Sequence, residues 1–113
     1  MSILDFTFTT YQEARAVLNG RDHVTLDGRT VLRHHIDTGI VDLIHHMTVI
    51  VRYYPNGIIK VSTDGHYSRS TAQRIARFSP IHPFRRGRRW YAAINGVTTP
   101  FYDGLNIATE SPC

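Results

Sequence analysis

The segment that most constrains this chain is Tyr54-Pro55-Asn56-Gly57-Ile58. Proline presets φ, asparagine tolerates the next turn position, and glycine supplies a positive φ. Alternating apolar and polar residues lie on both sides. The pattern predicts a hairpin between Met47–Tyr54 and Ile58–Thr63 and commits the chain to antiparallel sheet. Alternation puts Val49, Val51 and Tyr53 on one face with Ile59, Val61 and Thr63. Ile50, Arg52 and Tyr54 share the other with Ile58, Lys60 and Ser62. If Tyr54 pairs with Ile58, Arg52 stands opposite Lys60. Two cations beside an aromatic ring make that face a candidate anion surface.

Other turn and cap signals fill in the remainder. Residues 3–8, ILDFTF, suit a short strand or a packed arm. Thr10-Tyr11-Gln12-Glu13 reads as a capping box, with a helix to about Leu18 and Gly20 just past its end. Asp27-Gly28 separates two strand-like runs, and Thr38-Gly39 is a second break. The stretch IVDLIHHMTVIVRYY is too long for one ordinary strand, so a bend or bulge is expected near His45-His46. Asp64-Gly65 ends the central hairpin. Ser70-Thr71-Ala72-Gln73 reads as a second capping box, opening a helix from Thr71 to about Phe78. Ala72, Ile75, Ala76 and Phe78 are its expected inward residues, and Arg74 and Arg77 share an outer face. Pro80 and Pro83 force an extended passage. RWYAAI is a strand, Asn95-Gly96 a hairpin turn, and Val97–Phe101 a last strand whose Pro100 implies an edge. The expected fold is α+β: a twisted, mainly antiparallel sheet of five to seven short strands with two short helices. The 113 residues accommodate one core, so a single domain over 1–113 is expected, with a loose tail from about 108.

Charge is unevenly placed. Twelve of the thirteen basic residues are Arg, and Lys60 is the exception. Met1 to Thr48 carry four basic and six acidic residues; Val49 to Cys113 carry nine basic and three acidic, a net of +6. Such polarity attracts an anionic partner. The densest cluster is Arg85-Arg86-Gly87-Arg88-Arg89-Trp90-Tyr91, where guanidiniums suit phosphate and the aromatics suit stacking. Arg69, Arg74 and Arg77 lie just upstream and extend the patch if their helix packs beside it.

Enzyme chemistry finds little support. There is no Gly-rich phosphate loop, nucleophile elbow or catalytic cysteine, since the lone Cys113 is the last residue. Acid–base work would fall to Asp64, Asp103 or a histidine, and both aspartates precede glycine as turn signals. The seven histidines include the pairs His34-His35 and His45-His46. Adjacent strand residues point to opposite faces, so a pair gives one ligand to any site, and no metal-binding spacing is present. No metal or cofactor is expected. Trp90, Tyr91, Phe101 and Tyr102 form a late aromatic cluster, mostly core, with an edge residue available for a homo-oligomer or partner contact. No apolar run reaches the ~18 residues of a membrane helix, and Met1-Ser2-Ile3-Leu4-Asp5 lacks the features of a signal peptide. A cytoplasmic chain without membrane contact is expected.

The run Ile50–Tyr54 with PNG, then IIKVSTDG, then a Ser/Thr-rich start to an Arg-bearing helix resembles a pattern in small proteins of tailed bacteriophages. So does Arg89-Trp90-Tyr91 followed by Pro100-Phe101-Tyr102-Asp103-Gly104-Leu105. The resemblance spans the middle and C-terminal two-thirds, through turns and core aromatics. The N-terminal helix and the paired histidines lie outside it, and DGHYSRST stands where a Gly-Trp-rich approach to the helix belongs. It implies a small non-catalytic accessory protein of the host cytoplasm that occupies a defence or regulatory complex, or sequesters a nucleotide. The expected partner is a nucleic acid, a nucleotide or an acidic protein face. Arg85, Arg86, Arg88 and Arg89 are its main contacts; Arg69, Arg74, Arg77, Arg52, Lys60, Trp90 and Tyr54 are secondary. The alternatives are a small His-dependent nuclease or phosphodiesterase, and a virion assembly component.

Overall fold

The computed structural model describes residues 6–65 and 68–108. The N-terminal part of the 3–8 segment and the tail beyond Ala108 lie outside these residues. Phe6 and Phe8 belong to an arm without strand pairing. The Phe8 ring is fully buried, 4.6 Å from Phe78 and 6.0 Å from Tyr53. Helix α1, Tyr11–Leu18, follows its predicted cap: Thr10 Oγ1 accepts from the Glu13 N–H at 3.2 Å. The Glu13 carboxylate reaches one residue further back than a capping box requires, to the Thr9 N–H at 2.8 Å. That amide is the chief reason its pKa falls below the usual value. Asn19, at φ 50°, makes the left-handed turn at the helix end one residue before Gly20.

Among the described residues, nine strands form two antiparallel sheets, more than the five to seven expected of one sheet. The larger sheet runs β1 (His23–Asp27), β2 (Thr30–His34), β3 (Val41–His45), β4 (Thr48–Tyr53), β5 (Ile58–Val61) and β9 (Asn106–Ala108) in spatial order. The smaller runs β6 (His82–Arg86), β7 (Arg89–Ile94) and β8 (Val97–Pro100). It is an excursion between β5 and β9, entered through helix α2 (Arg69–Phe78). Leu32, Leu43, Val51 and Val61 form a row across the large sheet and join Leu18, Ile75, Phe78, Ile81 and Ala92 in the buried core.

The long segment through His45-His46 does not bend; it folds back. His46 and Met47, at φ 51° and 67°, form a two-residue turn between β3 and β4. That turn splits one expected strand into two. The bulge lies on β4 instead, where Leu43 pairs with Val51 and Ile44 with Val49. The extra residue, Ile50, turns inward and is 1% exposed, while Val49 moves to the Arg52 face. Every β4 residue before the bulge therefore changes face relative to simple alternation.

The second helix begins two residues early. Its cap is Ser68, whose hydroxyl accepts from the Thr71 N–H at 3.2 Å. Thr71, Ile75 and Phe78 are the buried helix positions, and Ala72 and Ala76 are half-buried. The expected outer face for Arg74 and Arg77 is also wrong. Arg74 Nε donates to Thr30 Oγ1 and its Nη2 to Asp27 Oδ2, both at 3.2 Å. Arg77 Nη2 donates to the Phe6 carbonyl at 3.0 Å. Both guanidiniums clamp the helix to the large sheet and the N-terminal arm.

Candidate functional site

The arginine cluster folds as the β6–β7 hairpin. Gly87, at φ 65°, occupies the first central turn position, where only glycine is comfortable. Arg86 pairs with Arg89, Arg85 with Trp90 and Phe84 with Tyr91. Strand alternation then sorts the side chains. His82, Phe84, Arg86, Arg89 and Tyr91 share the face turned from the core. Pro83, Arg85, Trp90 and the buried Ala92 share the face toward α2.

The outward face is a small platform. The Phe84 and Tyr91 rings stack, with centroids 5.9 Å apart and planes at 27°. The Arg86 guanidinium lies 5.6 Å from the Phe84 centroid. Arg89 stands across from Arg86, and Arg88 projects at the tip. Arg85, Arg86, Arg88 and Arg89 are all exposed, and none forms an ion pair among the described residues. Arg85 Nε does donate to the Gly87 carbonyl at 2.8 Å, which orders the turn. Guanidiniums left free around a stacked pair favour an anion that also carries flat rings.

Behind the hairpin, a groove of about 430 Å³ separates it from α2. Arg69 and Arg85 flank it; Ala72, Gln73, Ala76, Pro83 and Trp90 line it, and Phe84 borders it as well as the outward face. The expected cluster is thus divided between two faces, with Trp90 and Arg85 on one and the remaining hairpin arginines on the other. Of the platform pair, Tyr91 was expected as a stacking aromatic of the cluster, and Phe84 was not among the expected contacts. Their signal was present in HPFRR-G-RRWYA, where a turn at Gly87 sets Phe84 against Tyr91. Pro83 hid it, because proline in a run argues against a strand. An edge strand such as β6 tolerates it.

The secondary residues divide further. Arg52 does pair opposite Lys60. However, Asp42, only 2% exposed, binds Arg52 through Nε at 2.8 Å and Nη2 at 3.2 Å. His35 Nε2 lies 2.7 Å from the same carboxylate. Most of the Arg52 charge is therefore compensated within the sheet. Lys60 stays exposed beside a groove of about 350 Å³ with Val49, Ser62 and Asp103. Tyr54 is half-buried, and its N–H closes the turn on the Ile58 carbonyl. Arg74 and Arg77 serve the clamps already described.

Asp103 also has a structural task. Its carboxylate accepts from the Thr63 N–H, the Thr63 hydroxyl and the Gly65 N–H at 2.6, 2.8 and 2.8 Å. Partial burial raises its pKa, but these three bonds outweigh that and leave it lowered. Among the described residues, no group of three His, Cys, Asp or Glu is placed to hold a metal. No helix there is long and apolar enough to cross a membrane.

Fold and site together define a small α+β domain of two antiparallel sheets, the lesser carrying a basic aromatic face. No family model, curated protein or solved structure matches the chain.

Proposed function

We propose that this chain is a non-catalytic binding protein whose partner is single-stranded nucleic acid, held on the outward face of β6–β8. The stacked Phe84–Tyr91 pair between uncompensated Arg86 and Arg89 is the observation that carries this reading. Bases stack on aromatic faces at about 1–3 kcal/mol each, and arginines neutralise the phosphates between them. A duplex hides its base faces and satisfies only the arginines. An acidic protein surface also leaves the rings unused. The resemblance to small phage proteins supports an accessory role in a host cell, including interference with a host nucleic-acid-handling complex.

The test is binding of labelled single- and double-stranded DNA and RNA at two salt concentrations. Single strands are expected to bind more tightly, with affinity falling as salt rises. Arg86→Ala with Arg89→Ala is expected to reduce the salt slope by about 1–2. Tyr91→Ala is expected to weaken single-strand binding about tenfold with the slope unchanged. Equal affinity for single and double strands, unaffected by Tyr91→Ala, would sink the stacking role. An absence of binding at low salt would remove nucleic acid as the partner.

A further inference from the structure

A third pocket, of about 380 Å³, opens between the β3–β4 turn and the first turn of α2. His45 and His46 form one wall, Ser68, Ser70 and Thr71 another, and Thr63 lies between them. His45 is 3% exposed. Its Nδ1 is engaged by Thr30 Oγ1 at 3.0 Å. Its Nε2 is buried and has no hydrogen-bond partner among the described residues. With Nδ1 turned to Thr30, the unpartnered Nε2 belongs to a buried residue that lines the pocket. A buried polar atom left unmatched costs about 1–3 kcal/mol, so this nitrogen calls for a ligand.

The helix end offers matching chemistry. The Ser68 hydroxyl caps the Thr71 N–H, leaving the N–H groups of Arg69 and Ser70 outside the cap. These point out of a ten-residue helix whose dipole favours negative charge. Three hydroxyls surround the same opening. The local field has the same sign. Desolvation first, then the positive charges of Arg74, His46 and Arg29, lower the His45 pKa to about 4, and Asp27 only partly opposes them. Asp27 is itself held by Arg74. A cation entering here would face that field without a carboxylate ligand on the pocket wall. An anion would complete the site.

We propose that this pocket binds a dianionic phosphoryl group. The Ser70 and Thr71 hydroxyls and the first-turn amides bind its oxygens, and His45 Nε2 donates the remaining hydrogen bond. The volume exceeds the ~30 Å³ share of one water many times, leaving room for the group and part of what carries it. The site is separate from the sheet face proposed for nucleic acid and does not depend on it. Binding is coupled to protonation, because a dianion beside the ring favours the charged imidazolium against the burial and the neighbouring positive charges that keep His45 neutral.

The experiment follows the His45 ring by NMR in the full chain, over a pH series, with inorganic phosphate or with a nucleoside monophosphate. Phosphate is expected to move the His45 midpoint up from about 4 by a unit or more. Ser70→Ala leaves the Ser68 cap in place and is expected to weaken phosphate binding several-fold. His45→Gln is expected to abolish the coupled proton uptake. A shift with inorganic phosphate alone marks the free ion as the source; a shift with both marks a phosphate ester. An unmoved His45 midpoint at saturating phosphate would overturn the proposal. So would full affinity in the Ser70→Ala variant.

Discussion

At the residue scale, His45 and Asp42 are both buried, for opposite reasons. His45 is buried neutral, and its pKa falls from 6.5 to about 4. Below its unfolded pKa, the unfolded chain takes up a proton that the native state refuses. Its contribution to stability is therefore complete above about pH 6.5 and is lost as pH falls toward 4. The loss is on the order of 3 kcal/mol. Denaturant titration across this window is expected to show the decline in the parent chain and a flatter profile in His45→Gln. Asp42 is buried charged, beneath Arg52 and His35. Asp42→Asn keeps the shape but removes the charge that both neighbours address. It is expected to lower stability by about 2 kcal/mol at neutral pH, read from the denaturation midpoint.

At the element scale, the least conventional piece is the β3–β4 turn. Its two central residues are His46 and Met47, both at positive φ, where Asn-Gly is the comfortable pair. Met47 is 96% exposed, so packing does not compensate the strain. Replacing the pair by His46→Asn with Met47→Gly is expected to raise stability by about 1 kcal/mol, measured by chemical denaturation. The same replacement removes the His46 part of one wall of the proposed phosphoryl pocket. Stability and phosphate affinity are then expected to move in opposite directions. This turn also shows why the sequence was only partly readable. Tyr54-Pro55-Asn56-Gly57 carries its conformation in its own residues and was legible at once, as were the cap at Thr10 and the turns at Asp27 and Asn95. His46-Met47 has no local signature; its turn is imposed by the pairing of β3 with β4. The Arg74 and Arg77 clamps were hidden for a related reason. A helical wheel shows which residues share a side, but their partners, Asp27, Thr30 and Phe6, come from distant positions. The arginine hairpin was legible as charge, and its division into two faces required the β6 register.

At the scale of the whole molecule, charge and architecture coincide. The four hairpin arginines equal the net formal charge of +4; Arg85, Arg86 and Arg89 lie on strands of the smaller sheet and Arg88 in the turn that joins two of them. Replacing Arg85, Arg86, Arg88 and Arg89 by Ser therefore brings the net charge to zero. That variant is expected to lose retention on a polyanion matrix. Its stability is expected to change by less than about 0.5 kcal/mol per site, because the side chains are exposed. Loss of folding instead would mean that the hairpin helps hold the core. The closure of the large sheet has a consequence in time. Ile58 pairs with Ala108, fifty residues later, and only then is β5 covered by β9. At synthesis speeds of about 5–20 residues per second, the β5 edge stays open for several seconds while the arginine hairpin is being made. During that interval the nascent chain offers a bare strand to whatever lies near the ribosome, and a neighbouring copy on the same message is the partner best matched to it.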